Sequence, residues 1–417
     1  MDEMSAESRC VVGLDLGTTK IGTVIAEITP NKMPRILGYA SCSSQGLRRG
    51  VITDVEKTVQ SVEKAVGQAE LMAGMEVKEV FVGIAGEHVS SQDSSGVVAV
   101  AGADGRITED DRQRVLESAG AVKTPIDREV LHVLPQEFIV DGRRDIADPV
   151  GMLGVRLEVQ VHVVSGAVTA AQNICRSIHR AGLAVRDIAL EPLASSAAVL
   201  NSDERQMGVC LVDIGGGTTD MAVFSRGSLR YTGVIGLGGQ NVTSDVAIGL
   251  RTGWPIAETL KCTHGTAALE TVAEDETVEV PGVSGRPATQ VSRRLLADVI
   301  EARMEEIFML VRNRLGVNRL DLGAGIVLTG GGVLVDGAAE LAERVLEIPV
   351  RVGTPSGVVG MIDGMDNPGY ATAVGLARLA GDRSDSGEGL WPRGDNLDGA
   401  GFEAVFGRMK EWFQTWV

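Results

Sequence analysis

Residues 11–28 read VVGLDLGTTKIGTVIAEI, and residues 208–225 read GVCLVDIGGGTTDMAVFS. Each is an apolar strand ending near an aspartate, then a turn of glycine and threonine, then a second apolar strand. V-x-L-D-x-G-T-T returns as L-V-D-x-G-G-G-T-T about two hundred residues later, which is an internal repeat. It predicts two similar α/β halves facing each other.

The flanking segments agree with an α/β layout. Val55, Val59, Val62, Val66, Ala69 and Met72 fall at helical spacing, and the strand-like run VFVGIA (80–85) follows. From Gly86 to Gly166 the texture changes to short strand-like runs, GVVAVAG and RLEVQVHVVSG, with one helix expected over 108–122. Thr108 is its N-cap and acidic side chains fill its first turn. This stretch reads as a small inserted α+β module. An amphipathic segment at 170–183 then leads to the second copy of the repeat, and IVLTGGGVLVDG (326–337) joins a strand to the helix AAELAERVL. Residues 381–401 are rich in Gly and Asp, contain Ser and Pro and have little apolar content, the composition of a disordered linker.

Composition narrows the function. The chain has 417 residues, 44% of them apolar, and 56 acidic against 39 basic side chains give a net charge of −17. Such a body repels nucleic acid, and no nucleic-acid partner is expected. Its five cysteines contain no CxxC pair and its five histidines show no metal spacing. MDEMSAESRC is unlike a secretory signal, and glycine interrupts every apolar run before it reaches a bilayer-spanning length. Cytosol is the expected compartment, and any membrane contact is expected to be peripheral.

The glycine turns carry the chemistry. At DLGTTK, Gly17 lets the chain turn sharply, so that backbone N–H groups and the Thr18 and Thr19 hydroxyls converge in one concavity suited to phosphate, with Lys20 adding charge. DIGGGTTD offers a second nest. Two facing nests grip a polyphosphate from both sides, with Asp15 and Asp213 placed to hold a hydrated Mg2+. Either hairpin alone is equally an ordinary glycine-rich turn, and a GGG after a strand is often only a tight connection. Asp220 is read equally as a hairpin side chain facing solvent.

DLGTTK, DIGGGTTD and LTGGG, in that order, resemble the two phosphate motifs and the adenosine motif of the actin, Hsp70 and sugar-kinase superfamily. Within it the chain resembles the FtsA family of bacterial cell division proteins. HVLPQEFIVDGRRDIADPVGMLGVRLEVQVHVV (132–164), GLGGQNVTSDVAIGLRTGWPIAETLKCTHG (236–265) and the linker with its apolar tail carry that likeness. The resemblance implies a two-domain actin-like ATPase fold. Domain 1 would take residues 1–85, 166–195 and 351–380, with an inserted subdomain at 86–165. Domain 2 would have its core at 196–241 and 301–350 and a smaller lobe at 242–300. A flexible linker (381–401) and an amphipathic helix (402–417) would follow.

By the same resemblance, ATP and Mg2+ bind between the domains. Gly17, Thr18, Thr19 and Lys20 would hold phosphates from one side, and Gly215, Gly216, Gly217, Thr218 and Thr219 from the other. Asp15 and Asp213 would hold Mg2+ through water. Gly238, Gly239 and Asn241 would lie near ribose and phosphates, Glu258 and Lys261 beside the adenosine, and Gly330, Gly331 and Gly332 under the adenine. Glu191 matches the position that orients the attacking water in related ATPases, and is equally a helix N-terminal acid before Pro192. At most a weak ATPase is implied.

The tail has a signal of its own. Phe402, Val405, Phe406, Met409, Trp412, Phe413, Trp416 and Val417 form one apolar stripe on an α-helix. Sixteen residues make a rod of about 24 Å with aromatic rings suited to the headgroup boundary. Partial burial of eight apolar side chains gives under ~8 kcal/mol gross, and folding the segment costs on the order of 2–5 kcal/mol of that. A single tail therefore binds weakly, and several tails gathered by self-assembly are expected to hold. The alternative is a terminal helix docked on the protein's own body.

The leading expectation is an actin-like protein that polymerises at the cytoplasmic face of the membrane and anchors the tubulin-like division protein FtsZ, its docking surface lying at about 242–300. Other division proteins would join through the insertion. A pilus-assembly adaptor of the same fold is the nearest alternative. A small-metabolite kinase would need a catalytic base, for which no aspartate stands out.

Overall fold

Two five-stranded sheets of the same topology face each other across a pair of buried helices. The computed structural model describes residues 8–29, 33–102, 104–282, 287–318, 321–360 and 364–382. The expected linker beyond Asp382 and the tail helix lie outside the described residues.

In the first half, β1 (Arg9–Leu16), β2 (Lys20–Ile28) and β3 (Arg35–Ser43) form an antiparallel meander, followed by the short pair β4 (Leu47–Arg48) and β5 (Val51–Ile52). Helix α1 (Val55–Ala73) crosses back to β6 (Glu79–Ile84), which lies parallel to β1. Asp54 caps α1 by accepting from the Lys57 N–H at 3.2 Å, and Gly74, at φ 68°, ends it in the left-handed conformation that favours glycine.

The chain then leaves the sheet for a separate module of β7 (Ser90–Ala99), α2 (Glu109–Gly120), β8 (Arg128–Val140), β9 (Arg143–Ile146) and β10 (Arg156–Ala167). Its sheet runs β7-β10-β8-β9 and its core is its own, built on Ile107, Leu116, Phe138 and Leu157. Thr108 and Asp111 form a reciprocal capping box at the start of α2. Helix α3 (Val168–Arg180) returns the chain to β11 (Ala184–Leu190), which completes the first sheet in the order β11-β6-β1-β2-β3. His179 on α3 is exposed, in line with a surface reading.

Helices α4 (Glu191–Val199) and α5 (Ser202–Met207) lead to the second half, where the plan repeats. Strands β12 (Val209–Ile214), β13 (Thr219–Ser225) and β14 (Ser228–Ile235) are the meander. Helices α6 (Gly239–Gly249) and α7 (Trp254–His264), the pair β15 (Thr277–Val280) and β16 (Thr289–Ser292), and the long α8 (Arg293–Asn318) stand in the crossover. Strand β17 (Ile326–Thr329) lies parallel to β12. A 3-10 turn at Gly331–Leu334, helix α9 (Ala338–Leu346) and β18 (Val350–Val352) then give the order β14-β13-β12-β17-β18. A second 3-10 turn, Pro368–Tyr370, leads into α10 (Ala371–Asp382).

Helix α4 is buried all round from Pro192 to Val199, as its unbroken apolar and small-residue sequence requires. It packs with α10 between the halves, and the surrounding core draws on both sheets, from Val11 and Val24 to Leu211 and Val327. Glycine makes the approach possible. A Cβ on Gly375 would sit 1.8 Å from the Ala194 carbonyl oxygen, and one on Gly13 would sit 2.3 Å from that of Ala373. The insertion also reaches the second half. His162 of β10 lies 3.0 Å from Thr232 Oγ1 of β14, and the Ser91 hydroxyl donates to the Thr232 carbonyl at 3.3 Å.

Candidate nucleotide cleft

The tips of the β1–β2 and β12–β13 hairpins meet at the centre of the molecule. Leu16 pairs with Ile21 and Ile214 with Thr219, so each turn spans four residues, Gly17 to Lys20 and Gly215 to Thr218. In this register Gly216 and Gly217 stand where Thr18 and Thr19 stand in the first copy, and Thr218 stands where Lys20 does. The threonine pairs that the sequence repeat aligns are two residues out of step. A Cβ on Gly216 would meet Thr19 Cγ2 at 2.3 Å and one on Gly217 would meet Thr18 Oγ1 at 2.6 Å. The threonines of one tip therefore fill space that the glycines of the other leave.

Other elements steady the tips. The Gly50 N–H, between β4 and β5, donates to Thr18 Oγ1 at 3.3 Å. The N–H groups of Gly239 and Gln240, at the start of α6, donate to the Gly215 and Gly216 carbonyls at 2.9 and 2.8 Å. Asn241 Oδ1 accepts from the Gly238 N–H at 3.0 Å and closes the first turn of α6.

Between the halves lies a cavity of about 350 Å3, within the size range of small-molecule sites. Asp15, Asp213, both turns, Glu191, Gly239, the Glu258 and Lys261 pair, and Gly330 through Gly332 line it. Thr219, Gly238 and Asn241 stand behind the lining, with the Thr219 hydroxyl donating to the Leu237 carbonyl at 2.9 Å.

Of the five carboxylates that line this space, Glu258 is paired with Lys261 and the other four interact with one another. Burial pushes Asp15 up to about 7, with Lys20 pulling down and Asp213 pushing further up. Asp213 is raised by burial against the hydroxyls of Ser195 and Thr372 and the charge of Lys20. Asp220 is buried in the cavity wall, not solvent-facing, and burial with Asp213 nearby raises it to about 7. Thr218 Oγ1 donates to Asp220 Oδ2 at 2.9 Å, while Oδ1 is buried without a hydrogen-bond partner. Glu191 opens α4 and lies against Gly83, where a Cβ would come within 2.6 Å of its Cγ. Burial and then Asp15, Asp220 and Asp213 raise it well above the carboxylate range. It is thus both the acid at a helix N-terminus and a cavity group.

The cation facing them is Lys20, whose Nζ donates to the Gly369 carbonyl and lies 4.5 Å from the Tyr370 ring centroid. One ammonium does not balance these four carboxylates; burial is the main cause of their raised pKa values, and mutual repulsion adds to it at Asp15, Glu191 and Asp220. A divalent cation with a polyphosphate would relieve the repulsion, and the orphaned Asp220 oxygen and bare glycine surfaces fit such a ligand. Among the described residues no three His, Cys, Asp or Glu side chains converge to ligate a metal directly, so water or phosphate would have to bridge.

The glycine run after β17 lines the same cavity. Gly330, at φ 88°, leaves no Cβ to strike Asp213 Oδ1, which would lie 2.3 Å from it, and Gly331 opens onto empty space. Leu334 is 57% exposed and also lines the cavity, an apolar platform the motif reading missed. Opposite, Lys261 Nζ is 2.8 Å from Glu258 Oε2 and 2.9 Å from Thr243 Oγ1. Burial raises Glu258, but the bonds from Lys261 and Thr243 outweigh it and hold the carboxyl low.

Sequence reasoning also missed Ser195, Tyr370 and Thr372, which sit in no motif. For Asp220 a signal existed. A four-residue turn puts Asp213 and Asp220 directly opposite each other, as the register has them.

Paired sheets of identical strand order with a carboxylate-lined cleft between them define the actin-like ATPase architecture. Solved structures agree on the fold. The PilM-PilN type IV pilus biogenesis complex superposes with a TM-score of 0.65 at 18% identity over 89% of this chain and 98% of that one. MreB5 of Spiroplasma citri bound to ADP gives 0.52 at 13% identity, over 91% and 99%. Residues 210–375 match the family model described as "Cell division protein FtsA", and residues 86–165 match the SHS2 domain inserted in FtsA. The cell division protein FtsA of Pseudomonas aeruginosa is 43% identical over 410 residues, 97% of this chain and 98% of that protein. That of Neisseria meningitidis is 40% identical over 99% and 100%. The chain belongs to the FtsA family of actin-like cell division proteins. Among the described residues no helix is long and apolar enough to cross a membrane.

Proposed function

We propose that the chain binds ATP with Mg2+ in the central cavity, assembles with copies of itself, and holds FtsZ at the cytoplasmic face of the membrane through the tail at 402–417. The observation that carries the reading is the pair of interlocked glycine hairpins closing a cavity lined by Asp15, Glu191, Asp213 and Asp220 in a chain of this family.

The two turns and Lys20 bind the phosphates, and Gly330 through Gly332 with Leu334 take the base. Lys20 leaves the Gly369 carbonyl to do so. Asp15 and Asp213 would orient a hydrated Mg2+, which when bound would add positive charge beside these carboxylates. Glu191 would then shift toward its ionised form, in which it would position water at the terminal phosphate. Turnover is slow, and the bound nucleotide serves mainly to gate assembly.

Assembly matters because one tail anchors weakly, so tails gathered on a polymer act together. FtsZ docks on the lobe at 242–300, and later division proteins dock on the insertion. The test is co-sedimentation of FtsZ with liposomes, using full-length protein and a chain ending at Ala380, each with ATP. FtsZ is expected in the pellet only with the full-length protein. Equal pelleting with both would overturn the anchoring role.

A further inference from the structure

Asp213 belongs to the second sheet, yet its carboxylate is held by the two helices packed between the halves. Ser195 Oγ on α4 donates to Asp213 Oδ2 at 2.6 Å, Thr372 Oγ1 on α10 lies 3.4 Å from the same oxygen, and the two hydroxyls are 3.0 Å apart. Ser195 is fully buried and Thr372 nearly so. Ser195 thus donates to Oδ2, and the single Thr372 proton goes either to Oδ2 or to Ser195 Oγ. Oδ1 lies over the bare Cα of Gly330, where any side chain would displace it.

The arrangement depends on the close packing of the two helices. Gly375 lies one turn beyond Thr372, and its contact with the Ala194 carbonyl brings α10 against the residue preceding Ser195. Ser195 is enclosed and lies behind the cavity lining, and its hydroxyl meets Asp213 and Thr372.

We propose that Ser195 and Thr372 are positioning residues that fix the Asp213 carboxylate in one orientation, leave Oδ1 for a hydrated cation, and so tie cation affinity to the packing of α4 against α10. The inference rests on the nucleotide reading of the cleft and adds to it a link from the cation site to the packing of the helices between the halves. Movement of one half relative to the other must shift these hydroxyls against Asp213. Affinity for the cation therefore depends on how the halves are set.

The test is equilibrium titration of ATP into the full-length chain over a series of Mg2+ concentrations, with a parallel arm in EDTA. Wild type is compared with Ser195→Ala, Thr372→Val and the hydroxyl-retaining Thr372→Ser. Loss of a group that orients a metal-site carboxylate costs about 10- to 100-fold in metal affinity. Ser195→Ala is therefore expected to raise the half-saturating Mg2+ at least about tenfold, with ATP binding in EDTA unchanged. Thr372→Val should shift it less in the same direction, and Thr372→Ser should restore it. If Ser195→Ala does not fold, the contrast between Thr372→Val and Thr372→Ser decides alone. An unchanged Mg2+ dependence in the folded variants overturns the inference while leaving nucleotide binding intact. Equal weakening with and without Mg2+ also overturns it, as a purely structural role. ATP binding by wild type that ignores Mg2+ removes the cation reading itself, and this inference with it.

Discussion

The β1–β2 and β12–β13 hairpins have one topology, one register and one turn length, yet they present opposite surfaces. The first tip carries Thr18, Thr19 and Lys20, while the second is bare at Gly216 and Gly217 and receives the threonines. The second strand of the first pair has Gly22 opposite Asp15, whereas the second pair has Asp220 opposite Asp213. One hairpin supplies bulk and positive charge, the other space and negative charge. Two copies of one motif thus came to interlock by differing at the positions where they touch. Identical tips would either clash or leave a gap.

The largest effect should come from the extra carboxylate. Asp220 keeps its proton to about pH 7, against an ordinary value of 3.8. Between those values the folded chain binds more protons than the unfolded one, so ligand-free stability falls as pH rises through that window. A shift of this size is on the order of 4 kcal/mol at pH 8. Asp220→Asn should remove that part of the slope in urea unfolding at pH 5 and pH 8. Gly22→Asp, which gives the first hairpin the carboxylate it lacks, should steepen the loss. A slope unchanged in Asp220→Asn would mean the two hairpins do not differ in charge as described.

Next in size is the interlock. Gly216→Ala should destabilise by roughly 1–3 kcal/mol through overpacking against Thr19, and combining it with Thr19→Gly should recover part of the loss. Additive effects in this double-mutant cycle would mean that the tips do not touch. Smaller again is Thr218→Val, which removes the hydrogen bond to Asp220 and should cost about 1 kcal/mol at pH 8. Smallest is the exposed ion pair of Arg226 with Asp145, between the second half and the insertion. Asp145→Ala should change stability by less than about 1 kcal/mol, so that the seam is held by buried contacts such as His162 with Thr232.

The repeat in the sequence foretold both sheets, because a strand, a glycine turn and a strand leave a pattern that survives divergence. Helix α1 and the capped α2 were equally legible from spacing and from Thr108. The turn register was not, because matching letters align Thr18 and Thr19 with Thr218 and Thr219, whereas hydrogen-bond pairing aligns them with Gly216 and Gly217. Ser195 and Thr372 were hidden for another reason. They come from helices far apart in the chain, and a hydroxyl on a buried helix becomes meaningful only when packing sets it beside Asp213. Leu334 looked like any apolar residue after a glycine run until the fold left it exposed at the cavity mouth.

The most direct test is ATP titration into the full-length chain in Mg2+, comparing wild type with Gly216→Val. A branched side chain at that point would drive the tips apart at Thr19, and a penalty of about 1–3 kcal/mol falling on the bound arrangement corresponds to roughly 5- to 150-fold weaker binding. Saturable one-to-one binding in wild type and that loss in the variant is the expected result. Equal affinity in a folded Gly216→Val protein would contradict a nucleotide held between the two hairpins.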